Sequence, residues 1–307
     1  MSMHHVEGIL TVTATPFQKG GGSIDFEAYA RLLDFVTGNG VHYVVPCGTT
    51  GEYYNLTTDE RKQVFKFVAE TIGGRAKLFA GTNSSRPAEI IDLSLYAKDL
   101  GYEGLMLAAP YYSLPTTQEL VAHFKAIDDA VQLPILLYNF PARTGVDMSP
   151  EFLRGIKDRK RIFGIKESSG SMARMHELMS DFSDQVQLVC GADDQAFEYF
   201  AWGVRAWVAG ASNFLPAEHV ALYEACIRRN DLDAGREIMR RLMPVFMLME
   251  QGGKYLQYNK YGCELAGVPV GETRAPMLPL TAEEKKAFRK LYEGAIAATP
   301  KARVAAE

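Results

Sequence analysis

The chain has 307 residues, 47% of them hydrophobic and 23% charged, with a net charge of −4. That is apolar material enough for one large α/β domain or two ordinary ones, and the slightly acidic balance gives no electrostatic footing for nucleic acid. No uninterrupted apolar run is long enough to span a bilayer. The first seven residues lack the pattern of a secretory leader. Four scattered cysteines (Cys47, Cys190, Cys226, Cys263) without a C-x-x-C pair fit free thiols in a reducing cytoplasm.

In chain order, short apolar runs alternate with helix-patterned stretches. Strands are predicted at Ile9–Thr13, Tyr43–Pro46, Leu78–Gly81, Leu105–Ala109, Ile135–Tyr138, Ile162–Ile165, Val186–Cys190 and Ala206–Ala209. Their spacing, mostly about 25–33 residues, is that of a strand, a crossover helix and its loops. Runs apolar at consecutive positions belong to strands covered on both faces, as in a parallel sheet. Thr57-Thr58-Asp59-Glu60 and Thr116-Thr117-Gln118-Glu119 read as capping boxes, and Ser149-Pro150 as a cap followed by a proline at the first helical position. Eight βα units point to a (β/α)8 barrel. An open doubly wound sheet would bring a dinucleotide turn after its first strand, and Ala14-Thr15-Pro16-Phe17 followed by Gly20-Gly21-Gly22 lacks that spacing. Beyond the eighth strand only helices are predicted. One near Pro216–Arg229 closes the barrel; others near Leu232–Gln251, Lys254–Leu265 and Thr281–Ala298 form an appendage. The expected division is therefore a barrel with the active site at residues 1–230 and a C-terminal helical domain at 231–307.

Active sites of such barrels lie at the C-terminal ends of the strands, and those ends carry polar residues here. Strand two runs into Gly48-Thr49-Thr50-Gly51-Glu52, strand four into Pro110-Tyr111-Tyr112, strand five into Tyr138-Asn139 and strand six into Lys166-Glu167. An amine at the end of an apolar strand loses hydration, which disfavours its charged form, and a neutral lysine is the nucleophile of Schiff-base chemistry on a ketone. A neighbouring tyrosine, Tyr138, would carry the protons. The Gly48–Glu52 turn is expected to use its glycines to expose backbone N–H groups as a small anion nest, with Thr49 and Thr50 adding hydroxyl donors to a carboxylate. Val208, on the eighth strand, is expected to line the substrate pocket. Each residue also has an ordinary structural explanation: Lys166 paired with Glu167, Tyr138 a core tyrosine, Arg143 a loop arginine, Gly48–Glu52 a tight turn. His4 and His5 fall at a terminus expected to fray. His42, His123, His176 and His219 lack metal-spaced partners, and Asp193-Asp194 reads as a rim pair that orders loops.

From about Gly8 to Leu280 the chain resembles the class I pyruvate-dependent lyases of the dihydrodipicolinate synthase and N-acetylneuraminate lyase superfamily. The resemblance rests on Gly48-Thr49-Thr50-Gly51-Glu52, on Tyr138, on Gly164-Ile165-Lys166-Glu167 and on Arg274-Ala275-Pro276-Met277-Leu278-Pro279-Leu280. It is similar to the synthase in particular through Tyr138-Asn139-Phe140-Pro141-Ala142-Arg143-Thr144-Gly145. The resemblance implies Lys166 as the Schiff-base lysine and Tyr138, Thr49 and Tyr112 as a proton relay, with Tyr112 entering the neighbouring subunit's site. It assigns the pyruvate carboxylate to Gly48, Thr49 and Thr50, and the carboxylate of the aldehyde, aspartate semialdehyde for the synthase, to Arg143. It further implies a cytoplasmic homotetramer, a dimer of dimers, with no cofactor beyond the covalent imine on Lys166, acting on small molecules and on neither nucleic acid nor membrane. Three places depart from the pattern. Tyr53-Tyr54-Asn55 replace small residues, Thr58 and Arg61 stand where lysine-inhibited members carry histidines, and Ser168-Ser169-Gly170 replaces A-S-G. Such departures are those of paralogues that cleave or dehydrate 2-oxo sugar acids. A non-catalytic barrel is the alternative of another class, against which the intact lysine, tyrosine and threonine set argues.

Overall fold

A computed structural model describes residues 4–297. Eight parallel strands close a barrel in sequence order: β1 (Gly8–Val12), β2 (Tyr43–Val45), β3 (Lys77–Gly81), β4 (Gly104–Ala108), β5 (Ile135–Asn139), β6 (Ile162–Glu167), β7 (Gln187–Cys190) and β8 (Ala206–Ala209). Closure comes from β1 pairing with β8, Leu10 opposite Val208. The crossovers carry α1 (Phe26–Gly38), α2 (Thr58–Ile72), α3 (Pro87–Asp99) and α4 (Thr117–Val131). They continue with the short α5 (Pro141–Thr144) and α6 (Pro150–Gly155), then α7 (Met172–Asp181), α8 (Ala196–Ala201) and α9 (Pro216–Tyr223). Past the barrel follow α10 (Leu232–Gln251), α11 (Tyr255–Leu265) and α12 (Ala282–Ile296). The fold class read from the sequence is the one observed. Most strand bounds differ from the sequence reading by a residue or two; β6 reaches Glu167, so Lys166 lies inside the ladder instead of beyond it. The helix expected over Pro216–Arg229 is α9 followed by a π-helical turn, Glu224–Arg228. Ala298, the expected end of the last helix, lies outside the described residues.

The capping signals work as written. Thr57 accepts from Glu60 N at 3.1 Å while Glu60 Oε2 accepts from Thr57 N at 2.9 Å. The same reciprocal pair joins Thr116 and Glu119, and Ser149 caps α6. Each box satisfies two helix N–H groups that would otherwise lack partners.

Strand residues alternate between two cores. Leu10, Val45, Phe79, Met106, Leu136, Phe163 and Val189 fill the barrel interior; Ile9, Val44, Leu105, Ile135, Ile165 and Trp207 pack outward against the helices. The outer core runs on without a break into the appendage through Leu242, Phe246 and Phe288. His4 is not frayed: its ring packs edge-on to Phe163 at 4.7 Å and near Phe79, and burial holds its pKa below the ordinary value. The β5–β6 ladder contains an irregularity. Ile135 pairs with Ile162 but Leu136 pairs with Gly164, so β6 carries one extra residue. A bulge of this kind reverses the inward and outward sense of everything that follows. Phe163 and Gly164 both face inward, and Gly164 is glycine because a Cβ would lie 2.9 Å from Gln187 O. The outcome is that Lys166 faces inward, opposite Tyr138.

Among the described residues no helix is long and apolar enough to cross a membrane. All four cysteines are buried and free.

Candidate active site

Lys166 and Tyr138 sit side by side on adjacent strands, 6% and 5% exposed. Lys166 Nζ lies over the Tyr138 ring, 3.9 Å from its centroid. The pairing of Lys166 with Glu167 weighed above does not occur. Glu167 points to the outer face, where it accepts from Asn139 Nδ2 at 3.0 Å and Ser169 N at 2.6 Å. Strand alternation separates the two neighbours.

Thr49, Thr50, Tyr138, Arg143, Lys166 and Val208 line one cleft of about 480 Å3 at the C-terminal end of the barrel. Gly48 is not among the residues that line it. The turn is built differently from the expectation: its positive φ angles belong to Cys47 (56°) and Glu52 (55°), not to the glycines. Gly48 is required because a Cβ would overlap Val12, and Gly51 because a Cβ would lie 2.9 Å from Thr13 O. The amides of Gly51 and Glu52 close the turn onto Gly48 O and Thr49 O, each at 3.0 Å. Thr49 and Thr50 are the residues of this turn that line the cleft.

Arg143 is exposed on the one-turn helix α5, its guanidinium 5.3 Å from the centre of the Phe140 ring. Tyr112 does not reach the cleft of its own chain; it is 95% exposed, at φ 70°. Tyr111 turns inward instead. With Tyr53, Tyr54, Tyr138 and Phe140 it lines an aromatic socket of about 170 Å3 that shares Thr49 and Arg143 with the cleft. Tyr53 and Tyr54, the departures noted in the sequence, thus form one wall of that socket. The Arg61 guanidinium is buried beside Tyr53 and donates to Asn83 O and Gly81 O.

Several residues here were not assigned to the site from sequence. Asp193 is buried and accepts from Trp207 Nε1 (3.0 Å), Ala211 N (3.1 Å) and Tyr255 Oη (3.0 Å), tying β7, β8 and α11 together. Its loop-ordering role was legible; its three partners were not. Burial raises its pKa. Tyr255 and Glu250 enter the cleft from the appendage, and no local sequence signal marks them. Glu250 keeps surface at the rim, yet loss of hydration, then repulsion by Asp193 and Asp194, push it up to about 8 against the pull of Lys166. Among the described residues no group of three or more His, Cys, Asp or Glu side chains is placed to hold a metal ion.

The model of the dihydrodipicolinate synthetase family matches residues 5–295. The chain belongs to that family. Within the family it is 35% identical over 294 residues to the 4-hydroxy-tetrahydrodipicolinate synthase of Geobacter metallireducens, covering 94% of this chain and 99% of the relative. It is 37% identical over 279 residues to that of an Exiguobacterium species, 90% and 93% of the two chains. Among solved structures, the 4-hydroxy-tetrahydrodipicolinate synthase of Methylacidiphilum fumariolicum SolV superposes with a TM-score of 0.88 at 32% identity, covering 95% and 98% of the two chains. A prophage protein of the family from E. coli K12, solved in complex with pyruvate, gives 0.87 at 28%, covering 94% and 97%. Membership makes the protein an enzyme of the Schiff-base lyase type.

Proposed function

We propose that this chain condenses pyruvate with aspartate semialdehyde, as a 4-hydroxy-tetrahydrodipicolinate synthase. The observation that carries the reading is Lys166 beside Tyr138 in a cleft edged by Thr49 and Thr50, in a chain whose curated relatives of that name match over nearly their whole length. Lys166 Nζ adds to the pyruvate C2 carbonyl, and loss of water leaves a protonated imine. Removal of a proton from C3 converts it to the enamine, with the imine nitrogen as electron sink. The enamine carbon then bonds to the aldehyde carbon, whose oxygen takes up a proton, and the imine on Lys166 re-forms. The amino nitrogen of the semialdehyde adds to the imine carbon, closing the ring and releasing Lys166 as the free amine. Tyr138 is the group placed to pass these protons. Thr49 and Thr50 donate to the pyruvate carboxylate, Val208 packs against the bound acid, and Arg143 offers its planar fork to the carboxylate of the aldehyde. No metal or organic cofactor enters this sequence of steps.

Tyr112 serves a second copy of the chain in this reading. It projects fully from the surface, and the aromatic socket beside Thr49 and Tyr138 is of the size and character to receive such a ring, which supports a tight dimer and, by family likeness, a dimer of dimers. The four buried free thiols fit a cytoplasmic setting. A barrel at 1–230 and a helical domain at 231–307 remain the proposed division, with the second part contributing Glu250 and Tyr255 to the cleft.

Borohydride reduction in the presence of pyruvate should attach the three-carbon acid to Lys166, and Lys166→Ala should abolish both adduct and turnover. An unmodified Lys166 after reduction would sink the lysine chemistry. The polar wall of Asp194, Gln195, Glu250 and Gln251 favours a second reading for the partner substrate, a 2-oxo sugar acid whose hydroxyls those groups would bind. Turnover of such an acid without semialdehyde condensation would select it.

A further inference from the structure

Helix α11 brings Tyr255 and Asn259, one turn apart on the same face, to the barrel rim, with Lys260 the next residue along. Asn259 Nδ2 donates to Gly210 O at 2.7 Å, and Tyr255 holds Asp193. Lys260 goes deeper. It is 4% exposed, and its Nζ lies 2.9 Å from Glu52 Oε1 while donating to Thr15 O at 2.9 Å and Glu272 O at 3.0 Å. The Phe17 ring covers its remaining side, 4.2 Å from Nζ to the centroid.

Two of the three polar partners of Lys260, Glu52 and Thr15, are tied to the Thr49–Thr50 turn. Glu52 holds the left-handed backbone that ends the turn, and its amide donates to Thr49 O. Thr15 Oγ1 donates to Gly51 O at 2.7 Å. The second Glu52 oxygen accepts from Arg274 N at 3.1 Å and Asn55 Nδ2 at 3.3 Å, so the carboxylate is immobilised from two sides. A glutamate in the left-handed region is costly for a residue with a Cβ, and it persists where its surroundings over-determine it. Burial depresses the Lys260 pKa and the Glu52 carboxylate opposes that depression, as expected of a charge held in place by its partner.

We infer that Lys260 is a positioning residue for substrate binding: from the appendage, through Glu52 and Thr15, it fixes the turn that aims the Thr49 and Thr50 hydroxyls at the carboxylate of the 2-oxo acid. This rests on the function proposed above, in which that turn binds pyruvate, and it makes the appendage part of the binding apparatus. Lys260 touches neither Lys166 nor Tyr138, so its loss should weaken binding of pyruvate and spare the chemical steps.

The test compares the full-length protein with Lys260→Met and with the doubly neutral Glu52→Gln/Lys260→Met, which leaves no buried charge unpaired and keeps the experiment decisive if the single variant does not fold. The expected result in the double variant is a pyruvate KM raised tenfold or more. kcat at saturating pyruvate should stay within about threefold, and borohydride labelling of Lys166 at saturating pyruvate should remain complete. A folded double variant with an unchanged KM would overturn the proposal. So would one that loses kcat in step with kcat/KM, or one that cannot fold, which would make Lys260 a structural residue only. Absence of labelling in the unsubstituted protein would instead overturn the lysine chemistry, and the positioning role with it.

Discussion

Gly210→Ala probes how tightly the appendage is fitted to the cleft. Gly210 follows β8 with φ −95° and ψ −39°, a conformation open to any residue, so the substitution carries no backbone penalty and its effect is steric. The added methyl would overlap Tyr255 Oη and lie 3.0 Å from Thr50 Oγ1. Tyr255 has little freedom to retreat, because its hydroxyl is bonded to Asp193 and the Gly210 carbonyl accepts from Asn259 and Asn213. Overpacking of this kind costs about 1–3 kcal/mol, and depriving a buried carboxylate of one donor adds roughly 1.5–3 kcal/mol, so a loss of roughly 2.5–6 kcal/mol is expected. Equilibrium denaturation reads it directly. The pyruvate KM should rise about 10- to 100-fold if Thr50 loses a hydrogen bond to a carboxylate, with kcat little changed because Lys166 and Tyr138 are untouched. Tyr255→Phe removes the offending oxygen, so Gly210→Ala should cost at least about 1 kcal/mol less in that background, a coupling that a double-mutant cycle isolates. Strict additivity, or an unchanged KM in a destabilised variant, would refute the reasoning.

Two further predictions follow from single contacts. Tyr138→Phe keeps the ring over Lys166 and removes only the proton carrier, so kcat should fall about 10²–10⁴-fold while pyruvate still labels Lys166 slowly under borohydride; a loss below tenfold would exclude Tyr138 as the carrier. His219 is fully buried, stacks on Trp207 at 4.2 Å, and burial lowers its pKa to about 3. The unfolded chain protonates this group below about pH 6.5 and the folded chain does not, so its contribution is intact above that pH and drains away as pH falls toward 3, by roughly 5 kcal/mol in all. His219→Phe preserves the stack and should flatten the acid limb of the stability curve; an identical slope in the two proteins would contradict this.

What could be read from the sequence was whatever is local. Strand runs, caps and the tyrosine and lysine next to the ends of β5 and β6 are written in neighbouring residues, and barrel topology brings strand ends to one rim whatever the details. The turn was located correctly, but the roles of its glycines were not. Spacing cannot tell a glycine needed for positive φ from one that merely leaves room for Val12 or Thr13, and the strained angles went to Cys47 and Glu52. Tyr255, Glu250 and Lys260 were out of reach because their partners lie 62, 57 and 208 residues away at Asp193 and Glu52, and no periodicity records such pairings. His4 was taken for a loose end because its packing partners, Phe79 and Phe163, are supplied by the floor of the barrel.

The extra residue in β6 has a bearing on how the nucleophile survives change. Whether Lys166 looks into the cleft or out toward the helices is decided by how many residues precede it in the strand, not by what those residues are. Point substitutions along Ile162–Ile165 can loosen the strand but leave the lysine's side unaltered. Losing or gaining a single residue there would hand Glu167 or Ile165 to the cleft while leaving an apolar strand able to pair. The reaction is therefore buffered against substitution and exposed to insertion and deletion. Within this family, a sequence that retains the lysine but differs in length between Arg161 and Lys166 would be expected to fold as a barrel with its nucleophile facing the wrong way.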